Sequence, residues 1–187
     1  MKRAVMALTL CANLCGVLAC LLLAAGSPLL AFACVILAMA LDMIDGPLAR
    51  KVGVSSRAGG WLDTLTDVCI YVLFPAIFWW QAYGLPIGVL AIFGGAGVFR
   101  LIRFTLRGFE EEGAKLFYLG MPVFYSQFLL IVTYALRFDG VVLSALLILI
   151  AALNVSRIRF AKIPVRVLAA GLLLYIAIAV MQVSRAL

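Results

Sequence analysis

The sequence contains no histidine, and only 12% of its residues are charged. Without histidine there is no imidazole for acid–base catalysis or metal ligation, so proton and metal chemistry fall to carboxylates. So little charge cannot clothe a water-soluble domain of 187 residues, 67% of them hydrophobic. Acidic residues are outnumbered by basic ones, eight against 15 lysines and arginines. Period-two alternation of hydrophobicity is also missing, which excludes a membrane β-barrel. The five cysteines (Cys11, Cys15, Cys20, Cys34, Cys69) lie in apolar runs and lack the spacing of a zinc site or a disulfide framework. What is present is a series of apolar stretches of about 20 residues, the length of a helical membrane span. The composition predicts an all-α integral membrane protein, a single transmembrane domain over residues 1–187.

Seven such stretches follow one another: residues 4–25, 28–50, 57–83, 87–106, 118–136, 141–155 and 165–183. The first could be read as a signal peptide, but it is long enough to span. Ser56 is the expected N-cap of the third. That stretch carries Pro75, expected to kink it, and ends in an expected interfacial belt of Phe78, Trp79, Trp80 and Tyr83. Residues 108–116, with Glu110-Glu111-Glu112, read as a solvated polar loop, and residues 157–164 as a basic loop. If the N-terminus is cytoplasmic, 13 of the 15 basic residues fall on the cytoplasmic side, and only Arg137 and Arg185 do not. The positive-inside rule therefore predicts a cytoplasmic N-terminus. The net charge of +7 gathers at that membrane face, where it meets anionic headgroups and phosphates rather than nucleic acid.

Half of the acidic residues are concentrated in one stretch. Asp42 and Asp45 lie near the end of the second segment, and Asp63 and Asp67 near the start of the third. Ionised carboxylates at membrane depth are costly and mark function. The spacings i, i+3 and i, i+4 put each pair on one helix face. A short loop makes the two helices antiparallel neighbours, so both pairs reach the same depth. Four clustered carboxylates repel unless a cation neutralises them, and oxygen ligands favour Mg2+ or Mn2+, with Ca2+ as an alternative. Four can hold two ions bridged by shared carboxylates, the arrangement used for phosphoryl displacement. Gly46 and Gly59 leave room beside the acids, Pro47 loosens the helix end, and Arg50 can place a guanidinium on a phosphate. A plainer reading pairs the aspartates with Arg50, Lys51 and Arg57 at the interface; four acids in register on two helices argue against it. A second alternative is a transporter whose buried acids bind a cation in transit.

The pattern Asp42-x2-Asp45-Gly46-x2-Ala49-Arg50-x8-Gly59-x3-Asp63-x3-Asp67 resembles the signature of the CDP-alcohol phosphotransferase family, with every fixed position present. The resemblance implies a six-helix membrane core, to which the seventh segment is an addition. It implies transfer of a substituted phosphate from a CDP-linked donor to an alcohol, with release of CMP. Asp42, Asp45, Asp63 and Asp67 would be metal ligands, with Asp67 also the general base. Gly46, Ala49, Arg50 and Gly59 would line the nucleotide site. A homodimer is implied as well, and the expected location is a prokaryotic plasma membrane, with the active site facing the cytoplasm.

Weaker matches bear on the acceptor. Leu8-Thr9-Leu10-x2-Asn13, Arg100-Leu101-Ile102-Arg103-Phe104, Phe117-x2-Gly120-Met121-Pro122 and Val155-Ser156-Arg157-Ile158-Arg159 resemble segments of phosphatidylserine synthases. They imply CDP-diacylglycerol as donor and L-serine as acceptor, with Arg100, Arg103, Arg157 and Arg159 as candidates for an acceptor carboxylate or a phosphate. The run Tyr71-Val72-x2-Pro75 instead resembles phosphatidylcholine synthases. Choline, glycerol-3-phosphate and inositol phosphate remain alternative acceptors.

Overall fold

The computed structural model describes residues 2–53, 57–113, 115–162, 167, 171–173 and 175–177; the side chains of residues 2–4, 50 and 57 lie outside it. Ser56, the expected N-cap, and most of the seventh stretch also fall outside the described residues. The chain forms two compact units, Met1–Ile77 and Phe78–Leu187.

The first unit begins with a helical hairpin of α1 (Lys2–Ala24) and α2 (Pro28–Val52). Gly26, at φ +77°, closes α1: its N–H bonds to Leu23 O and that of Ser27 to Leu22 O. This is the left-handed cap that glycine adopts without steric cost. Ala12, Ala19, Ala31, Val35 and Ala38 are completely buried. Such small side chains let helix backbones approach closely where lipid supplies no hydrophobic drive. Pro47 does not end α2, which continues to Val52.

α3 (Arg57–Asp67), a π-helical turn (Val68–Leu73) and α4 (Phe74–Tyr83) form one unbroken helical run. Pro75 cannot donate a backbone hydrogen bond, and its ring crowds the carbonyl four residues back. The chain answers with a wider turn immediately before it: Phe74 N–H bonds to Cys69 O, five residues back. Phe74 then stacks edge-on against Phe32 of α2, with centroids 5.4 Å apart.

The second unit holds most of α4, then α5 (Ile87–Arg107), α6 (Tyr125–Leu136) and α7 (Gly140–Val155). α5 packs along α7. Trp79 is fully buried, edge-on to Phe93, and donates from Nε1 to Thr133 Oγ1 at 3.0 Å. The expected aromatic belt is thus split: Phe78 and Trp79 are core residues and Trp80 is exposed. Asp139 caps α7, its Oδ1 accepting from the N–H groups of Val141 and Val142.

Three short strands depart from the all-α expectation. β1 (Glu110–Glu112), β2 (Lys115–Leu119) and β3 (Arg159–Ala161) form an antiparallel sheet in the order β1-β2-β3. Glu111 faces Leu116, and Tyr118 faces Phe160. The stretches expected to be polar and basic loops are therefore partly strand. The fifth apolar stretch is shorter than expected for the same reason. Its first residues belong to β2, Gly120 turns at φ +79°, and α6 starts at Tyr125. Its 12 residues reach about 18 Å, short of a bilayer core of about 30 Å.

The other regular elements among the described residues are helical. Among those residues four segments, Val5–Ala24, Pro28–Ala49, Ala58–Tyr83 and Ile87–Arg107, are long and apolar enough to cross a membrane.

Candidate metal centre

Asp42 and Asp45 project from the second half of α2, and Asp63 from the second turn of α3. The i, i+3 spacing sets the first pair on one face, and α3 brings Asp63 to meet it. One carboxylate oxygen from each of Asp42, Asp45 and Asp63 lies within 4.8 Å of the others. Asp45 is only 3% exposed, while Asp42 and Asp63 are half-buried. Asp42 and Asp63 lie within hydrogen-bonding reach of each other. Asp67, one turn beyond Asp63 and just before the π turn, is outside the trio but close enough to Asp42 for their charges to repel. The structure thus brings together three of the four expected acids and places the fourth within electrostatic range.

The donor set fits a hard divalent cation. Asp42 Oδ1 and both oxygens of Asp45 are buried and accept no hydrogen bond among the described residues. A buried carboxylate without donors carries a desolvation cost that a cation removes. Oxygen donors at this spacing suit Mg2+ or Mn2+.

Around the trio, Gly46 follows Asp45 directly and Gly59 lies one turn before Asp63. Ala49 is half-buried on α2, and Arg50 lies on the same helix with its side chain outside the described part. α1 contributes two residues with no role assigned from the sequence. Thr9 lies beside the Asp45 carboxylate, its hydroxyl donating to Val5 O at 3.3 Å. Asn13 Nδ2 donates to Leu62 O, next to Asp63, at 3.1 Å. Their signal in the sequence was a pair of polar residues one turn apart in an apolar helix.

The four arginines expected to bind acceptor or phosphate lie in the second unit. Arg100 is 4% exposed, its guanidinium carbon 5.1 Å from the ring centroids of both Phe104 and Tyr118. Arg103 donates to three carbonyls: Nη1 to Val155 O, and Nη2 to Leu119 O and Asn154 O. Two of these are carbonyls at the end of α7, which have no intrahelical partner, so Arg103 caps that helix. Arg159 pairs with Glu110 at 2.9 Å and Glu112 at 3.0 Å. The glutamates therefore do more than solvate a loop: they form β1 and tie it to β3. Arg157 is exposed.

Comparison with known proteins identifies the family. The family model for CDP-alcohol phosphatidyltransferase matches residues 5–187. The chain is 29% identical over 135 residues to the CDP-diacylglycerol–serine O-phosphatidyltransferase of Methanocaldococcus jannaschii, covering 71% of this chain and 64% of that protein. It is 34% identical over 96 residues to the phosphatidylcholine synthase of Agrobacterium fabrum, covering 48% of this chain and 39% of that protein. The phosphatidylcholine synthase of Rhizobium meliloti matches to the same extent. The chain thus spans under two-thirds of the length of each of these relatives. The family match covers nearly the whole sequence, the stretch that holds the acidic trio included, and the chain belongs to the CDP-alcohol phosphatidyltransferase family.

Proposed function

We propose that the protein makes phospholipid by transferring a phosphatidyl group from CDP-diacylglycerol to a small alcohol, L-serine, with release of CMP. The observation that carries this is the meeting of one carboxylate oxygen each from Asp42, Asp45 and Asp63 within 4.8 Å on two neighbouring helices. Asp42, Asp45, Asp63 and Asp67 would hold Mg2+ or Mn2+, two ions in the full site. Bound there, the cations would offset the negative charge of the diphosphate and of the departing CMP. The remaining work falls to the chain. Gly46 and Gly59 lack a Cβ and let the nucleotide approach the backbone, beside Ala49. Arg50 presents a guanidinium to the diphosphate. Asp67 accepts the proton of the acceptor hydroxyl as its oxygen bonds to the lipid-bearing phosphorus and the bond to the CMP oxygen breaks.

Serine as acceptor rests on the relative from Methanocaldococcus jannaschii and on the segments around Asn13, Arg100 and Arg157. Its carboxylate calls for a cation. Arg103 and Arg159 are engaged by protein oxygens, and Arg157 is exposed, so we assign that role to Arg157. Choline is the second reading, favoured by the two phosphatidylcholine synthases and by Tyr71-Val72-x2-Pro75. The same proposal includes one transmembrane domain, a cytoplasmic N-terminus and active site, a prokaryotic plasma membrane and a homodimer. The test is a panel: purified protein, CDP-diacylglycerol, Mn2+, and serine, choline, glycerol-3-phosphate or inositol phosphate in turn, with CMP measured. Serine should give the fastest release. Release with choline alone would transfer the assignment to choline, and none with any acceptor would refute the transferase reading.

A further inference from the structure

Thr9 and Asn13 sit one turn apart on α1, both nearly buried, and the proposed chemistry uses neither. Asn13 Nδ2 donates twice, to Thr9 O at 3.0 Å within α1 and to Leu62 O at 3.1 Å on α3. Leu62 O also accepts from Thr66 Oγ1 at 3.2 Å. Further along the same face, a Cβ added at Gly16 would lie 3.2 Å from the Cβ of Cys69, in the π turn. One turn beyond, Cys20 Sγ donates to Cys69 O at 3.5 Å. Residues 9, 13, 16 and 20 recur at the four- and three-residue spacing of one helix face. That face touches α2 at Asp45 through Thr9, and the α3–π run at Leu62 and Cys69. α2 and α3 meet each other over a far smaller surface than α1 shares with either. The axial register of Asp63 against Asp42 and Asp45 is therefore transmitted through α1.

We propose that Asn13 is a positioning residue for the metal centre. Its amide holds the α3 backbone at the turn that carries Asp63, and the close contact at Gly16 fixes the depth of the same run. The inference rests on reading Asp42, Asp45 and Asp63 as a divalent-cation site. Moving Asp63 by a fraction of an ångström spoils the shared ligation without unfolding the hairpin, because α1 and α2 pack on small residues elsewhere.

The test is a Mn2+ titration of detergent-purified protein followed by electron paramagnetic resonance, with CMP release as a second readout. Asn13→Leu keeps the branched shape and removes the donor; it should weaken Mn2+ binding about tenfold, the scale of outer-shell changes at metal sites. CMP release should recover at saturating Mn2+, which a general folding defect would not allow. Gly16→Ala should weaken binding in the same way, and adding Cys69→Gly, which removes the clashing Cβ, should restore it. Wild-type affinity in Asn13→Leu, or a Gly16→Ala defect that Cys69→Gly leaves unchanged, overturns the proposal alone. A wild-type protein that binds no Mn2+ overturns the cation reading and the proposal with it.

Discussion

Replacing Asp45 by asparagine should stabilise the metal-free protein and abolish its stabilisation by metal. Three carboxylate oxygens lie within 4.8 Å of one another. At that separation and an effective dielectric of about 20, each ionised pair repels by about 3.5 kcal/mol. Asp45 takes part in two of the three pairs, and neither of its oxygens accepts a hydrogen bond among the described residues. Asparagine keeps the shape, removes the charge and adds an amide that can donate to Asp42. Even a fraction of the relieved repulsion, about 1 kcal/mol, would raise the unfolding midpoint by about 2–4 °C in a chain of this size. In the wild type, Mn2+ at a hundred times its Kd should add about 2.7 kcal/mol, or about 5–10 °C. The assay is thermal unfolding in detergent, followed by the fluorescence of Trp61, Trp79 and Trp80, in chelator and in Mn2+. The reasoning is refuted if Asp45→Asn lowers the metal-free midpoint and still responds to Mn2+ as the wild type does.

Other substitutions separate chemistry from architecture. Asp67→Asn should reduce CMP release at least about a hundredfold, as expected for a lost general base, while Mn2+ binding at the trio persists; retained turnover removes its role. Arg103→Ala leaves carbonyls of Leu119, Asn154 and Val155 without their donor and should destabilise the protein by about 1–3 kcal/mol, measured as a lower unfolding midpoint. Arg159→Ala removes only half-exposed ion pairs to Glu110 and Glu112, so the same measurement should change by less than about 1 kcal/mol. Arg157→Ala should raise the KM for serine and leave that for CDP-diacylglycerol near wild type, a split that steady-state kinetics reads directly.

The acidic site was legible because its information is local. Two spacings fix two helix faces, a short connection makes the helices neighbours, and residue type limits the ligand chemistry. The sheet was not legible. Glu110–Glu112 and Arg159–Ala161 are three residues each, too short to show alternation, and β2 runs into an apolar stretch that hides its start. β1 and β2 form a local hairpin, and β3 joins them only through pairing more than 40 residues away, as at Phe117 and Ala161. Arg103 misled for a similar reason. A cation deep in an apolar helix suggests an anion, but its partners are backbone carbonyls, which leave no trace in residue type. Trp79 reads as an interfacial aromatic, yet the hydroxyl of Thr133, 54 residues later, satisfies its indole N–H in the core. Asn13 stood in the sequence only as part of a family-like segment, and its link to Leu62 became visible when α1 and α3 were seen side by side.

The most direct test of the account is CMP release from CDP-diacylglycerol and serine by wild type, Asp42→Asn, Asp45→Asn and Asp63→Asn, each with Mn2+ and with chelator. The account predicts release by the wild type with Mn2+ and its loss in chelator and in each variant. Undiminished release in chelator, or in any two of the three variants, would contradict it.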